Sequence, residues 1–168
     1  MAPNWKVRPV GEDEYAPWTS LFRGYCDFYQ WPTSEEHQRQ IWAWIHVDKR
    51  VEALVAIELD DAGNEIGDPR GLAHVREWVR PLRGMVCGYL DDLYVDPVWR
   101  GTGAVEAIFA ELNRLALQRN WAVVRWTTAL DNARAQGAYD KVATRTSWVT
   151  YDMTPTSDGP RLRAGIRM

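Results

Sequence analysis

Residues 88–119 constrain the fold of this chain more than any other stretch. Gly88 to Val95 is an apolar strand, Pro97 opens a loop, and Arg100-Gly101-Thr102-Gly103 leads directly into a long helix. In that helix, Gly103 to Arg119, the residues Val105, Ile108, Phe109, Leu112, Leu115 and Ala116 share one face. An apolar stripe of this kind has to be covered, and a neighbouring sheet is the natural cover. Glycines in the turn let the backbone take strained angles and approach a ligand with no Cβ between them. The first helical turn then presents free amide hydrogens at the positive end of the helix dipole. Strand, glycine turn and helix start together suit a diphosphate. The pattern is not the three-glycine dinucleotide fingerprint, and no Gly-Lys-Ser/Thr follows to make it a P-loop.

The rest of the chain supplies the partners. Trp5 to Val10 alternates as a strand, and Glu12 to Tyr29 carries Tyr15, Trp18, Leu21, Phe22 and Tyr25 at helical spacing. Trp31-Pro32-Thr33 interrupts it, and Ser34 with Glu35, Glu36 and Gln38 opens a second helix through Ile41, Trp44 and Ile45. Strands are expected at Val51–Leu59, Gly71–Val79, Gly88–Val95, Trp121–Thr127 and Ser147–Met153, with a short helix at Asn132–Val142. This order predicts an α/β (α+β) fold: one domain over residues 1–168, with a mixed, mostly antiparallel sheet of six to seven strands and helices on both faces.

Composition narrows the class of partner. A chain of 168 residues with 46% apolar and 26% charged residues suits one continuous core. No apolar run approaches the length of a membrane span, and the N-terminal residues lack the apolar centre of a secretory signal, so a cytoplasmic protein without membrane contact is expected. The net charge of −3 and the interspersed basic residues disfavour nucleic acid; Arg161, Arg163 and Arg167 read as a solvated end. Cys26, Cys87, His37, His46 and His74 are too scattered for a disulfide framework or a metal site, so no metal is expected. Ten tryptophans are unusual, and most are expected in the core.

Two blocks carry a resemblance. Val95 followed by Arg100-Gly101-Thr102-Gly103 at the head of an amphipathic helix resembles the acetyl-CoA-binding signature of the GNAT N-acetyltransferase superfamily. Downstream, Asn132, Ala135 and Tyr139, with Asp140-Lys141, are similar to that family's Asn-x-x-Ala-x-x-x-Tyr segment. The likeness runs from about Val51 to Met153, and Tyr89-Leu90-Asp91-Asp92-Leu93-Tyr94-Val95 looks most like the matching strand of the diamine (polyamine) acetyltransferases.

The resemblance implies transfer of an acetyl group from acetyl-CoA to a primary amine, by direct attack in a ternary complex, with a small-molecule acceptor. A protein lysine or N-terminus as acceptor, or a CoA-binding protein without activity, are the alternatives, and a homodimer is left open. It implies a cofactor-binding core over residues 88–142, with Leu93, Tyr94, Val95, Arg100, Gly101, Thr102, Gly103, Ala104, Val105, Asn132, Ala135 and Lys141 contacting acetyl-CoA. It further implies a backbone amide near Val95 polarising the thioester carbonyl, and Tyr139 as general acid for the leaving thiolate. Asp91 is the first choice of base and Asp92 the second, for amine binding; the alternative is two structural carboxylates in ion pairs. Strict strand alternation would place these neighbours on opposite faces. The acceptor side is expected from the helices of residues 12–47, where Asp27 sits among aromatic residues including Tyr29 and Trp31.

Overall fold

Alternation along the strands decides which helix each face of the sheet receives. In the second strand Leu54 and Ala56 project into one apolar cluster, whereas Ala53 and Val55 project into another. Helices therefore cover both faces, as an unbroken run of buried residues requires.

The computed structural model describes residues 3–157. The elements run β1 (Asn4–Pro9), α1 (Tyr15–Phe28), α2 (Glu35–His46), β2 (Glu52–Leu59), β3 (Glu65–Arg80), β4 (Met85–Val95), α3 (Ala104–Gln118), β5 (Val124–Arg125) and α4 (Ala133–Tyr139). The chain through Ala129 is one compact unit and the residues from Leu130 onward are a second, small one. Within the first unit the strands lie in the order β1-β2-β3-β4-β5. Neighbours are antiparallel except β5, which runs parallel to β4.

One face of the sheet carries α3, whose Ala104, Ile108, Leu112 and Leu115 pack with Leu54, Ala73, Val75, Leu90 and Val95. The other carries α1 and α2, with Trp18, Phe22, Ile41 and Ile45 against Val55 and Leu72. Trp18 is wholly buried, stacked on Phe22 at 5.3 Å and close to Trp42 at 5.1 Å. Ser34 caps α2 by accepting a hydrogen bond from the His37 amide, and Glu35 and Glu36 complement the helix dipole.

The sheet has five strands among the described residues, not six to seven. Within Trp121–Thr127 only Val124 and Arg125 join a ladder. Residues 147–153 form no strand, and Trp148, Val149, Tyr151 and Met153 are all exposed. Alternation specifies a strand only where a neighbouring ladder and a covering face accept it, and here neither does. The cluster Arg161, Arg163 and Arg167 lies outside the described residues. No described helix is long and apolar enough to cross a membrane.

Candidate active site

The glycine turn forms around two residues that only glycine tolerates easily. Gly101 has φ 83° and Gly103 has φ 100°, both left-handed. The Asp96 carboxylate accepts from the Val98 amide and shapes the turn after β4. The Thr102 hydroxyl donates to the Trp99 carbonyl at 2.7 Å, and the Trp5 indole of β1 donates to the Thr102 carbonyl at 3.0 Å. The first backbone bond of α3 runs from Ala107 to Gly103, and no side chain caps this end. The amides of Ala104, Val105 and Glu106 thus have no acceptor within the helix. Ala104 is buried, and Val105 packs toward the core under α3. Arg100 donates from Nε to the Val95 carbonyl at 3.0 Å and sits over the rings of Phe28 and Tyr94. Positive φ, uncapped amides and a fixed guanidinium fit a diphosphate.

Beside this turn the sheet opens. β4 and β5 pair only at Gly88↔Val124 and Tyr89↔Arg125. From Leu90 to Val95 the edge of β4 facing β5 has no ladder partner among the described residues. Trp121, buried and bonded through its indole to Glu77, lies directly against Gly88, where a Cβ would come within 2.4 Å of the ring. Leu93 and Val95 turn toward the α3 cluster, and Tyr94 toward the α1 side.

On that α1 side lies a cavity of about 530 Å³ whose wall includes Phe22, Tyr25, Trp31, His74, Asp91 and Asp92. Both carboxylates reach one cavity because the alternation breaks between them. His74 pairs with Asp92 while Val75 pairs with Leu90, which leaves Asp91 as an extra residue in β4. The bulge corrects the expectation of opposite faces: Leu90 turns into the α3 cluster, whereas Asp92 reaches His74 beside α1.

The bulge also gives the two acids different surroundings. Buried His74 accepts from the Trp18 indole at Nε2, 3.1 Å away, so its proton sits on Nδ1 and is donated to Asp92 at 2.8 Å. Burial alone would push Asp92 up; the bonds from His74 and Tyr25 outweigh it and hold the carboxyl below its ordinary value. Asp91 moves the other way. Burial, aided by the charge of Asp92, raises it even though Arg76 bonds it at 2.8 Å. Two adjacent carboxylates pushed apart in this way can divide the tasks of anchoring a cation and accepting a proton. Cys26, also on the wall, is held as a thiol by burial.

Of the expected acceptor residues, Trp31 joins the wall, whereas Asp27 and Tyr29 are exposed and lie off it. Tyr29 packs edge-on against Tyr25 and Phe28. In the second unit, Asn132 caps α4 by accepting from the Ala135 amide, Tyr139 ends the helix half-buried, and Lys141 follows it exposed. Sequence reasoning passed over His74, Arg76 and Arg50, all on the cavity wall. His74 had a signal: it is the one polar residue in the buried run Leu72-Ala73-His74-Val75.

Residues 18–143 match the sequence profile of the acetyltransferase (GNAT) family. No curated protein sequence matches the chain. Among solved structures, a ribosomal-protein-alanine N-acetyltransferase from Brucella melitensis superposes with a TM-score of 0.72 at 18% identity, over 91% of this chain and 100% of that one. The aminoglycoside 6'-N-acetyltransferase AAC(6')-Ih from Acinetobacter baumannii gives 0.71 at 16%, over 92% and 100%. The aminoglycoside N-acetyltransferase AAC(6')-Iy in complex with CoA gives 0.76 at 14%, over 93% and 98%. None of these three is a diamine acetyltransferase, so that finer likeness stands on β4 alone.

Proposed function

The chain belongs to the acetyltransferase (GNAT) family, whose members use acetyl-CoA, and from that premise we propose that it acetylates the primary amine of a small molecule held in the cavity beside β4. The observation that carries this reading is the pair of carboxylates at the β4 bulge, one held ionised and the other raised, facing aromatic side chains.

The ammonium of the acceptor docks against Asp92, with the faces of Phe22, Tyr25 and Trp31 adding to the attraction for a cation. Asp91 takes one proton of the ammonium, directly or through a water, and so frees the lone pair with which the nitrogen attacks. A raised carboxyl is a stronger base than an ordinary one, and Arg76 keeps it aimed. When bound, acetyl-CoA supplies an acetyl group activated as a thioester. The uncapped amides at the start of α3, with Arg100, hold the pyrophosphate, and an amide near Val95 on the unpaired edge of β4 polarises the carbonyl. As the N–C bond forms and the C–S bond breaks, the thiolate takes a proton from Tyr139, and the second proton shed by the nitrogen restores that tyrosine, so that amide, CoA thiol and protonated Asp91 are left. The role of Tyr139 rests on the resemblance of Asn132 to Tyr139 to the family segment.

The reading places the enzyme in the cytoplasm, acting on neither nucleic acid nor membrane. The test is release of free CoA thiol from acetyl-CoA with a panel of primary amines. The wild type is expected to turn over at least one of them, and Asp91→Asn to lose most of that turnover. Equal turnover by the variant removes Asp91 from the chemistry.

A further inference from the structure

Two cavities meet at one seam. The cavity with Asp91 and Asp92 shares Arg50, Val51 and Arg76 with a second of about 450 Å³. The first is mostly apolar and, at its charged positions, balanced: two carboxylates face Arg50 and Arg76, and the Nε2 of His74 is taken by the Trp18 indole. The second has four cationic side chains, Lys49, Arg50, Arg76 and Arg119, against only Glu52 and Glu77.

Most of these charges are engaged. Arg119 holds Glu52 with two bonds, Glu77 accepts from the Trp121 indole, and Arg76 holds Asp91. Arg50 reaches only Asp48, at a loose 3.7 Å, and Lys49 has no ion pair among the described residues. Lys49 also takes a left-handed φ of 52° in the turn that leads from α2 into β2. The seam therefore ends in two cations available to an anion, with carboxylates at its other end. β3 lies between β2 and β4, so two strand spacings, about 10 Å, separate the start of β2 from Asp91.

We propose that the acceptor is a monoamine with an apolar body and a carboxylate at its far end, its ammonium against Asp91 and Asp92 and its carboxylate against Arg50 and Lys49. The inference rests on the reading that this cavity holds the acceptor amine. It disfavours polycations, because the wall offers no further free carboxylate for a second ammonium and the seam would repel one.

Three six-carbon primary amines differ in the charge at the far end: 6-aminohexanoate, hexylamine and 1,6-diaminohexane. The expected order of kcat/KM is 6-aminohexanoate first and the diamine last. In Arg50→Glu, the ratio of kcat/KM for 6-aminohexanoate over hexylamine is expected to fall at least about fivefold, while the ratio for the diamine over hexylamine rises; taking ratios cancels any general damage to the enzyme. Preference of the wild type for the diamine, or ratios unmoved by Arg50→Glu, overturns the inference and leaves the small-amine reading standing. Turnover of none of the three while another amine of the panel is acetylated likewise overturns the inference and leaves that reading standing; turnover of an N-terminal peptide alone sinks both.

Discussion

Replacing Asp92 by Asn removes one charge from the cavity wall and leaves its shape nearly unchanged. The His74 Nδ1–H, which donates to Asp92 at 2.8 Å, still finds an amide oxygen, so the Trp18–His74 chain persists and the fold with it. What is lost is the ionised partner of the ammonium. A hydrogen bond to a charged group contributes about 1.5–3 kcal/mol, and the Asp92 side chain is 26% exposed, so screening favours the lower half of that range. At about 1.4 kcal/mol per factor of ten, KM for the amine should rise about 10- to 40-fold.

A second effect has its own sign. Asp92 adds to the burial that raises Asp91, so removing its charge lowers the Asp91 pKa. A base works only when unprotonated, and the acidic limb of kcat/KM therefore moves to lower pH even as the absolute rate falls. Initial rates of CoA-thiol release, measured at saturating acetyl-CoA across acidic and neutral pH, read both effects at once. The free enzyme's base governs the limb. A KM within about twofold of the wild type, together with an unmoved limb, refutes the division of labour between the two carboxylates.

Tyr139→Phe should lower kcat at least about tenfold with little change in KM for acetyl-CoA, since removing a general acid costs turnover rather than binding; unchanged kcat takes the residue out of the mechanism. Gly88→Ala drives a methyl to 2.4 Å from the anchored Trp121 ring, an overpacking that costs about 1–3 kcal/mol and should lower Tm by several degrees. An unchanged Tm in thermal unfolding would show that Trp121 moves freely. Glu65, lying between Arg8 and Lys6, is held at about 2, and Glu14 is lowered by Arg8. Their contribution to stability is complete above their unfolded value near 4.5 and is lost as pH falls toward about 2. Arg8→Met should flatten denaturant-measured stability across that acidic window, and an unaltered slope would show that the network contributes nothing.

Local signals were enough for the glycine turn and α3. Gly101 and Gly103 announce left-handed positions, Pro97 announces the loop, and the spacing from Val105 to Leu115 announces the helix, so turn and helix read directly from neighbours in the chain. Strand existence was harder: Ser147–Met153 alternates as well as β1 does, but alternation is silent on whether a ladder partner is present. The cavity beside β4 depended on contacts across the sheet. A single unpaired residue at position 91 rotates Leu90 and Asp92 to opposite faces, and no property of Asp91 itself reveals that β3 is one residue short opposite it. His74 reads as an isolated polar residue until Trp18, 56 positions away, takes its Nε2 and leaves Nδ1 for Asp92. The sequence by itself determined the glycine turn at Gly101 and Gly103, whose conformation depends on local backbone freedom. The tertiary structure alone decided which carboxylate is raised and which is lowered, because those shifts come from burial and from partners that only folding brings together.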